Sequence, residues 1–337
     1  MNLKDIAALA GVSTATVSNV LNGNTGKVSD QTRERVERII RESDYQPNAM
    51  ARSLAKRESH MIGLVIPYIG ADENFLLNPY YSQMIAALEQ YVRSKNYYVM
   101  FRCVPDCGEV IPLLSSWNVD GAFFLGVVEE DVAKIRQALH APVVFLDTYT
   151  EEADAVTVGL DDYRGGYLAA KYLIGKGHRK IALTCPDYTT PGVVRERYLG
   201  FVKACEECGL TLDPSDIYRI DTNYQKAVSL GQDVVLANRG YTAVATMSDI
   251  VAMGIMEGIR QCGYSVPEDI SVIGFDNLPE SEYITPKLTT IAQDFDRKAQ
   301  LAVESMFEMI ENKDKKPGSS RIPVQLMERQ TVREIRE

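Results

Sequence analysis

The chain has 337 residues, 45% hydrophobic and 24% charged, too long for one small core and suited to two or three domains. No apolar run approaches the ~18 residues of a membrane span, and charges at Lys4 and Asp5 stand where a signal peptide needs apolar residues, so the sequence reads as cytoplasmic. The net charge of −10 excludes a protein that coats nucleic acid by bulk attraction, yet residues 1–60 carry nine Lys/Arg against seven Asp/Glu, a head of +2 on a body of −12.

Leu3, Ile6, Ala7 and Ala10 recur at i, i+3, i+4 and i+7, one face of a helix, with Asn2 to cap it and Asp5 at its positive end. Gly11 follows, free to take the left-handed geometry that reverses the chain. Ser13 then caps a second helix in which Val17, Val20 and Leu21 point inward and Thr14, Ala15, Ser18 and Asn19 stay on the free side. Small polar side chains at the start of a short helix can reach base edges and phosphates in a major groove about 12 Å wide. The bland alternative is a helix-Gly-helix corner in an all-α core. A third helix is capped by Ser29 and striped by Val36, Ile39 and Ile40, with Tyr45 closing a helix-turn-helix headpiece over 1–45. Residues 46–60 begin with Pro47 and Asn48 and carry one bulky apolar side chain, Leu54, among Arg52, Lys56 and Arg57. So short a helix is marginal alone. The segment is either a plain linker or a hinge helix that folds on DNA, with Leu54 wedged into the minor groove and the basic residues on phosphates.

From residue 61, apolar runs at 62–67, 97–103, 121–127, 142–148, 180–186, 242–248 and 270–277 alternate with helices such as 80–94, 163–177, 195–209 and 249–263. Unbroken β-branched runs between helices predict parallel strands covered on both faces, in two blocks, 61–160 and 161–290. Two doubly wound subdomains would face each other across a cleft at the carboxyl ends of their strands. There the sequence places Asp147, Ser248-Asp249 and Asp276-Asn277, with Arg197 early in a helix. Carboxylates, an amide and a guanidinium suit a ligand with many hydroxyls, while Tyr80, Tyr81 and Phe295 can stack on a ring's apolar face. Asp249 reads as a helix cap, Asp276 and Arg197 as ligand contacts.

Cys205-Glu-Glu-Cys208 has no second close Cys or His pair, so the six cysteines read as buried thiols rather than metal ligands. Neither a Gly-x-Gly-x-x-Gly turn, a phosphate loop nor a Gly-x-Ser-x-Gly elbow occurs, so an enzyme reading lacks a motif. Of three histidines, His178 reads as structural and His60 and His140 as surface residues. No catalytic residue, metal or cofactor is predicted. A periplasmic-type binding protein would share the cleft but leave the first sixty residues unexplained.

With these segments in order, the chain resembles the lactose-repressor/galactose-repressor family of bacterial transcription regulators over essentially its full length. The resemblance rests on residues 3–23, on 45–54 (Tyr-Gln-Pro-Asn-Ala-Met-Ala-Arg-Ser-Leu), on Asn78-Pro-Tyr-Tyr-Ser82 and Asp120-Gly121, and on Gly177 to Ala182, Arg197 to Phe201, Ser248-Asp249, Val266 to Asp276 and Leu288 to Thr290. It implies a homodimer on a near-palindromic operator in double-stranded DNA, with Thr14, Ala15 and Asn19 as base readers, Ser13, Thr16 and Ser18 on phosphates, and Leu54 as the wedge. Several relatives carry arginine or histidine where Asn19 stands, and asparagine can pair with adenine instead. In the effector domain, Tyr80, Tyr81, Asp147, Arg197, Ser248, Asp276 and Phe295 fall at family ligand contacts, Ser248 replacing an asparagine usual in some sugar binders. The implied halves are 61–160 with 292–322, and 161–291 with 323–337. The implied effector is a sugar or sugar phosphate, a purine or nucleoside or a phosphorylated carrier protein being the alternatives. Without a leucine heptad tail, a tetramer is not expected.

Overall fold

The computed structural model describes residues 1–21, 23, 25–43, 59–67, 76, 78–104, 106–312 and 314–335. The chain forms two compact units, Met1–His60 and Met61–Glu337. Tyr45, Arg52 and Leu54, and with them most of the expected hinge segment, lie outside the described residues.

The first unit holds α1 (Leu3–Ala10), α2 (Thr14–Leu21) and α3 (Asp30–Glu42). Asn2 Oδ1 accepts from the backbone N–H of Lys4 and Asp5, and Asp5 Oδ2 accepts from the N–H of Asn2, so three N–H donors at the helix start are satisfied reciprocally. Gly11 ends α1 at φ 60°. Ile6, Ala7, Ala10, Val17 and Val36 form the buried core, with Leu3, Val20, Leu21, Ile39 and Ile40 packed around it. Every apolar position that the helical periodicity assigned inward therefore touches the same small core.

The second unit alternates strand and helix. Its first half runs β1 (Met61–Pro67), α4 (Pro79–Ser94), β2 (Tyr98–Val104), α5 (Cys107–Ser116), β3 (Gly121–Leu125), α6 (Glu129–Ala138), β4 (Val143–Leu146) and β5 (Val156–Leu160). The next runs α7 (Asp162–Gly175), β6 (Ile181–Cys185), α8 (Val193–Glu207), β7 (Ile217–Arg219), α9 (Tyr224–Leu236), β8 (Ala243–Thr246) and α10 (Asp249–Gln261). Then come β9 (Ser271–Asp276), α11 (Glu280–Tyr283), β10 (Thr289–Ala292), α12 (Phe295–Glu311), β11 (Ser320–Ile322) and β12 (Gln325–Met327).

One sheet has the order β11-β5-β4-β3-β1-β2, all parallel; the other is β12-β10-β9-β8-β6-β7, parallel except that β12 runs antiparallel to β10. Strands β3, β4, β5, β6, β8, β9 and β10 are buried at every residue, the continuous apolar pattern of sheets covered on both faces. Because β11 joins the first sheet and β12 the second, the chain passes between the halves near 161, near 293 and near 323. The last residues bind back: the N–H of Val272 donates to the Thr331 carbonyl at 2.8 Å and the N–H of Ile335 to the Lys176 carbonyl at 2.7 Å.

Five strands are additional to the apolar runs read from the sequence. β7, β11 and β12 are three-residue edge strands, and β5 and β10 carry Thr or Gly where the eye looks for Val and Ile. Two glycines set the helix packing beside β6. A Cβ on Gly166 of α7 would stand 1.8 Å from the Arg197 carbonyl oxygen, and one on Gly200 of α8 would stand 1.9 Å from that of Tyr163. The two backbones meet directly, which fixes where Arg197 sits.

Candidate functional site

A cavity of about 560 Å³ opens between the carboxyl ends of the two sheets. Tyr80, Tyr81 and Asp147 line it from the first half, and Arg197, Ser248 and Asp276 from the second. Asn78 Oδ1 accepts from the N–H of Tyr80 at 3.0 Å, and Pro79 opens α4, so the tyrosine pair occupies a rigid first turn. The rings meet edge to face at 5.1 Å. Phe295 does not line the cavity; it tilts against Tyr80 from behind, with ring centroids 5.6 Å apart. Asp147 leaves β4 at φ 49° and Asp276 ends β9 at φ 120°. Both carboxylates thus stand on backbone geometry that non-glycine residues seldom adopt, about 1–3 kcal/mol each that the surrounding sheets offset.

These groups are joined by buried residues that the sequence did not single out. Lys298, fully buried on α12, donates to Asp147 Oδ1 at 2.9 Å, to Asp147 Oδ2 at 3.0 Å and to Gln293 Oε1 at 2.7 Å. Gln293 Nε2 donates to Asp276 Oδ1 at 2.7 Å. Tyr80 also donates its hydroxyl to Asp147. On the other side, Arg197 Nε donates to Asp162 Oδ1 at 2.9 Å and Nη1 to the Met247 carbonyl at 2.8 Å, while the guanidinium lies 3.5 Å above the Phe275 ring. Arg197 Nη1 stands 4.0 Å from Asp276 Oδ1. Tyr149 donates to Asp162 Oδ2 at 2.9 Å. Burial pushes the Asp276 carboxyl up to about 7 even though Arg197, Gln293 and Lys298 favour its ionised form. Burial likewise raises Asp162, with Arg197 opposing the rise.

One correction concerns the start of α10. Ser248 caps α10, its Oγ accepting from the N–H of Val251 at 3.4 Å, so Asp249 is not the cap. Asp249 is fully buried instead and accepts from the Thr290 hydroxyl at 2.5 Å and the Leu278 N–H at 2.8 Å; burial and the nearby Asp276 charge raise its carboxyl well above the ordinary value. In the Asp161-Asp162 pair, Asp161 caps α7 and frees Asp162 for Arg197. The doublet was the available signal for Asp162, and a lysine opening the apolar stripe of α12 was the one for Lys298.

His178 is buried, with Nδ1 2.9 Å from the Thr242 hydroxyl and Nε2 3.1 Å from the Arg333 carbonyl, a purely structural pair of contacts. All six cysteines are free thiols, and among the described residues no group of three His, Cys, Asp or Glu side chains could hold a metal. No helix of the described residues is long and apolar enough to cross a membrane.

In the headpiece, Ser13, Thr14 and Ala15 are exposed at the start of α2, and Thr16, Ser18 and Asn19 are half-buried. Ser13 Oγ accepts from the Thr16 N–H at 3.1 Å and pairs with the Thr16 hydroxyl at 2.9 Å, which makes it the cap expected of it.

Residues 2–48 match the model of the bacterial regulatory proteins, lacI family, and residues 170–332 that of a periplasmic binding protein-like domain. The ribose operon repressor of Haemophilus influenzae is 33% identical over 314 residues, 92% of each chain. The chain belongs to the lacI family. The HTH-type transcriptional repressor PurR of Mannheimia succiniciproducens is 32% identical over 340 residues, 99% of each chain. The lac repressor dimer bound to operator and the anti-inducer ONPF superposes with a TM-score of 0.87 at 27% identity, 99% of each chain covered. This lacI-family protein is therefore a ligand-responsive, DNA-binding transcriptional regulator, its helix-turn-helix joined to a two-lobed parallel-sheet domain.

Proposed function

We propose that this lacI-family regulator represses carbohydrate-utilisation genes: a homodimer in the cytoplasm grips a near-palindromic operator, and a sugar in the cleft sets the strength of that grip. The buried floor of the cleft carries the reading. Asp147 and Asp276 offer carboxylate oxygens, Arg197 Nη2 donates to nothing among the described residues, and Tyr80 and Tyr81 supply ring faces. Groups fixed in this way can bond neighbouring hydroxyls in pairs without being reorganised on binding. The cleft lining carries Asp147, Asp187, Asp221 and Asp276 against Arg197 and Lys226, with Asp162 and Lys298 paired behind it, an excess of negative charge that favours a sugar over a sugar phosphate. The likeness to a ribose operon repressor points the same way. The PurR likeness supports a purine as the second reading, for which the tyrosine pair would be the stacking surface.

Thr14, Ala15 and Asn19 would read bases, Ser13, Thr16 and Ser18 would meet phosphates, and Arg52 and Leu54 would act from the hinge. No turnover of the ligand is part of this scheme. A ligand touching both lobes stabilises one lobe arrangement over another, and the operator prefers one of the two; a coupling of about 1–3 kcal/mol changes affinity 5- to 150-fold. Fluorescence anisotropy on a selected palindromic duplex, with and without pentoses, hexoses and purines, tests the proposal. A monomer indifferent to every duplex at low salt would end it.

A further inference from the structure

We infer that the effector is an uncharged glycoside, its sugar ring on the charged floor and its aglycone against the outer wall of the second lobe. This rests on the sugar reading above. A single sugar ring fills about 150 Å³, the share of roughly five waters. The cleft offers about 560 Å³, and a second hollow of about 570 Å³ continues it outward, the two sharing Pro186, Asp187, Ile220, Asp221 and Lys226.

The outward part differs in chemistry from the floor. Where it meets the cleft its apolar wall is Pro186 and Ile220, with Leu230 farther out and Val251 on the cleft side. Thr184 also lines the cleft, and its hydroxyl is buried with no hydrogen-bond partner. Leu183 and Cys185 pack into the core cluster on one face of their sheet, so Thr184 lies on the other, with Ala182, Ile220 and Val251. A buried hydroxyl is normally satisfied, so a partner that arrives with the ligand accounts for it. The cations here are already claimed: Lys226 Nζ donates to Asp221 Oδ2 at 3.0 Å, and Arg219 stands 3.7 Å from Asp187 and over the Tyr188 ring. Asp233 adds a third carboxylate to the outer hollow. A phosphate or other anion meets an excess of negative charge in both parts, whereas a neutral group with an apolar face and one or two polar atoms fits.

The test compares ribose, glucose and galactose with their p-nitrophenyl glycosides, with uridine and adenosine, and with ribose 5-phosphate and glucose 6-phosphate, by titration calorimetry on the full-length protein. At least one glycoside should bind ten-fold or more tightly than its parent sugar, and the phosphates more weakly than either. Ser229, exposed on α9 at the outer hollow, provides the block. Ser229→Trp should abolish the glycoside advantage while leaving the parent sugar's affinity in place, and Ser229→Ala should keep the advantage. A parent sugar binding as well as all of its glycosides, or an advantage untouched by Ser229→Trp, overturns the inference and leaves the sugar reading standing. Failure of every sugar and glycoside to bind overturns both.

Discussion

Removing the buried Lys298 ammonium would leave Asp147 and Gln293 facing each other without their shared donor, with Tyr80 the remaining side-chain donor to Asp147. Breaking a buried pair in this way costs about 3–5 kcal/mol, so Lys298→Met should lower the urea midpoint by that equivalent and blunt the response to effector. A variant with unchanged stability would show that the ammonium holds nothing. Asp276 gives a pH dependence of definite sign. Its folded carboxyl titrates at about 7, above the ~3.9 of an unfolded chain, so between those values the folded state retains a proton the unfolded state has lost. Stability therefore falls as pH rises from about 4 to 7 and is level above that; Asp276→Asn should flatten the slope in urea titrations. A sugar that donates to the ionised carboxylate binds more weakly below pH 7, by up to about ten-fold per unit. Asp276 and Arg197 were legible from the sequence because they end or follow apolar runs. Lys298 and Gln293 were not, since what makes them matter is a contact across 151 residues to Asp147 and one across 17 to Asp276.

The contact between α7 and α8 is set by Gly166 and Gly200, and a methyl group at either must push backbone against backbone. Gly200→Ala should cost about 1–3 kcal/mol or more in thermal unfolding and, by moving Arg197, weaken effector binding further than that loss explains. Retained affinity would show that Arg197 does not depend on this approach. At the headpiece, Asn2→Ala removes the side-chain half of the reciprocal cap, leaving the residue-2 N–H on Asp5, and should cost about 1 kcal/mol, read from the melting of the first unit. The headpiece helices were readable because caps, periodicity and Gly11 all point one way, and β3, β4, β6, β8 and β9 because they lie in apolar runs, whereas the equally buried β5 and β10 are interrupted by Thr or Gly. The edge strands were not: three residues with one neighbour carry too little pattern, and β11 and β12 pair with segments more than thirty residues away.

Three passages join the two lobes, and the Asp147–Lys298–Gln293–Asp276 chain runs through the second of them. A sugar on that chain would be sensed by both lobes at once. Leu54→Ala should then weaken operator binding and central DNA distortion together, checked by footprinting; parental strength and distortion in the variant would remove the wedge from the scheme. The same interleaving bears on how the molecule is made. The first unit has its own core and can fold as soon as it is synthesised, but neither lobe acquires its second edge strand until residues 320–327 emerge, and the second is not tied down until 331–335. Until residues 320–327 are made, a nascent chain thus exposes two unfinished sheets, so termination before them yields a species prone to sticking to its neighbours, not a smaller working sensor.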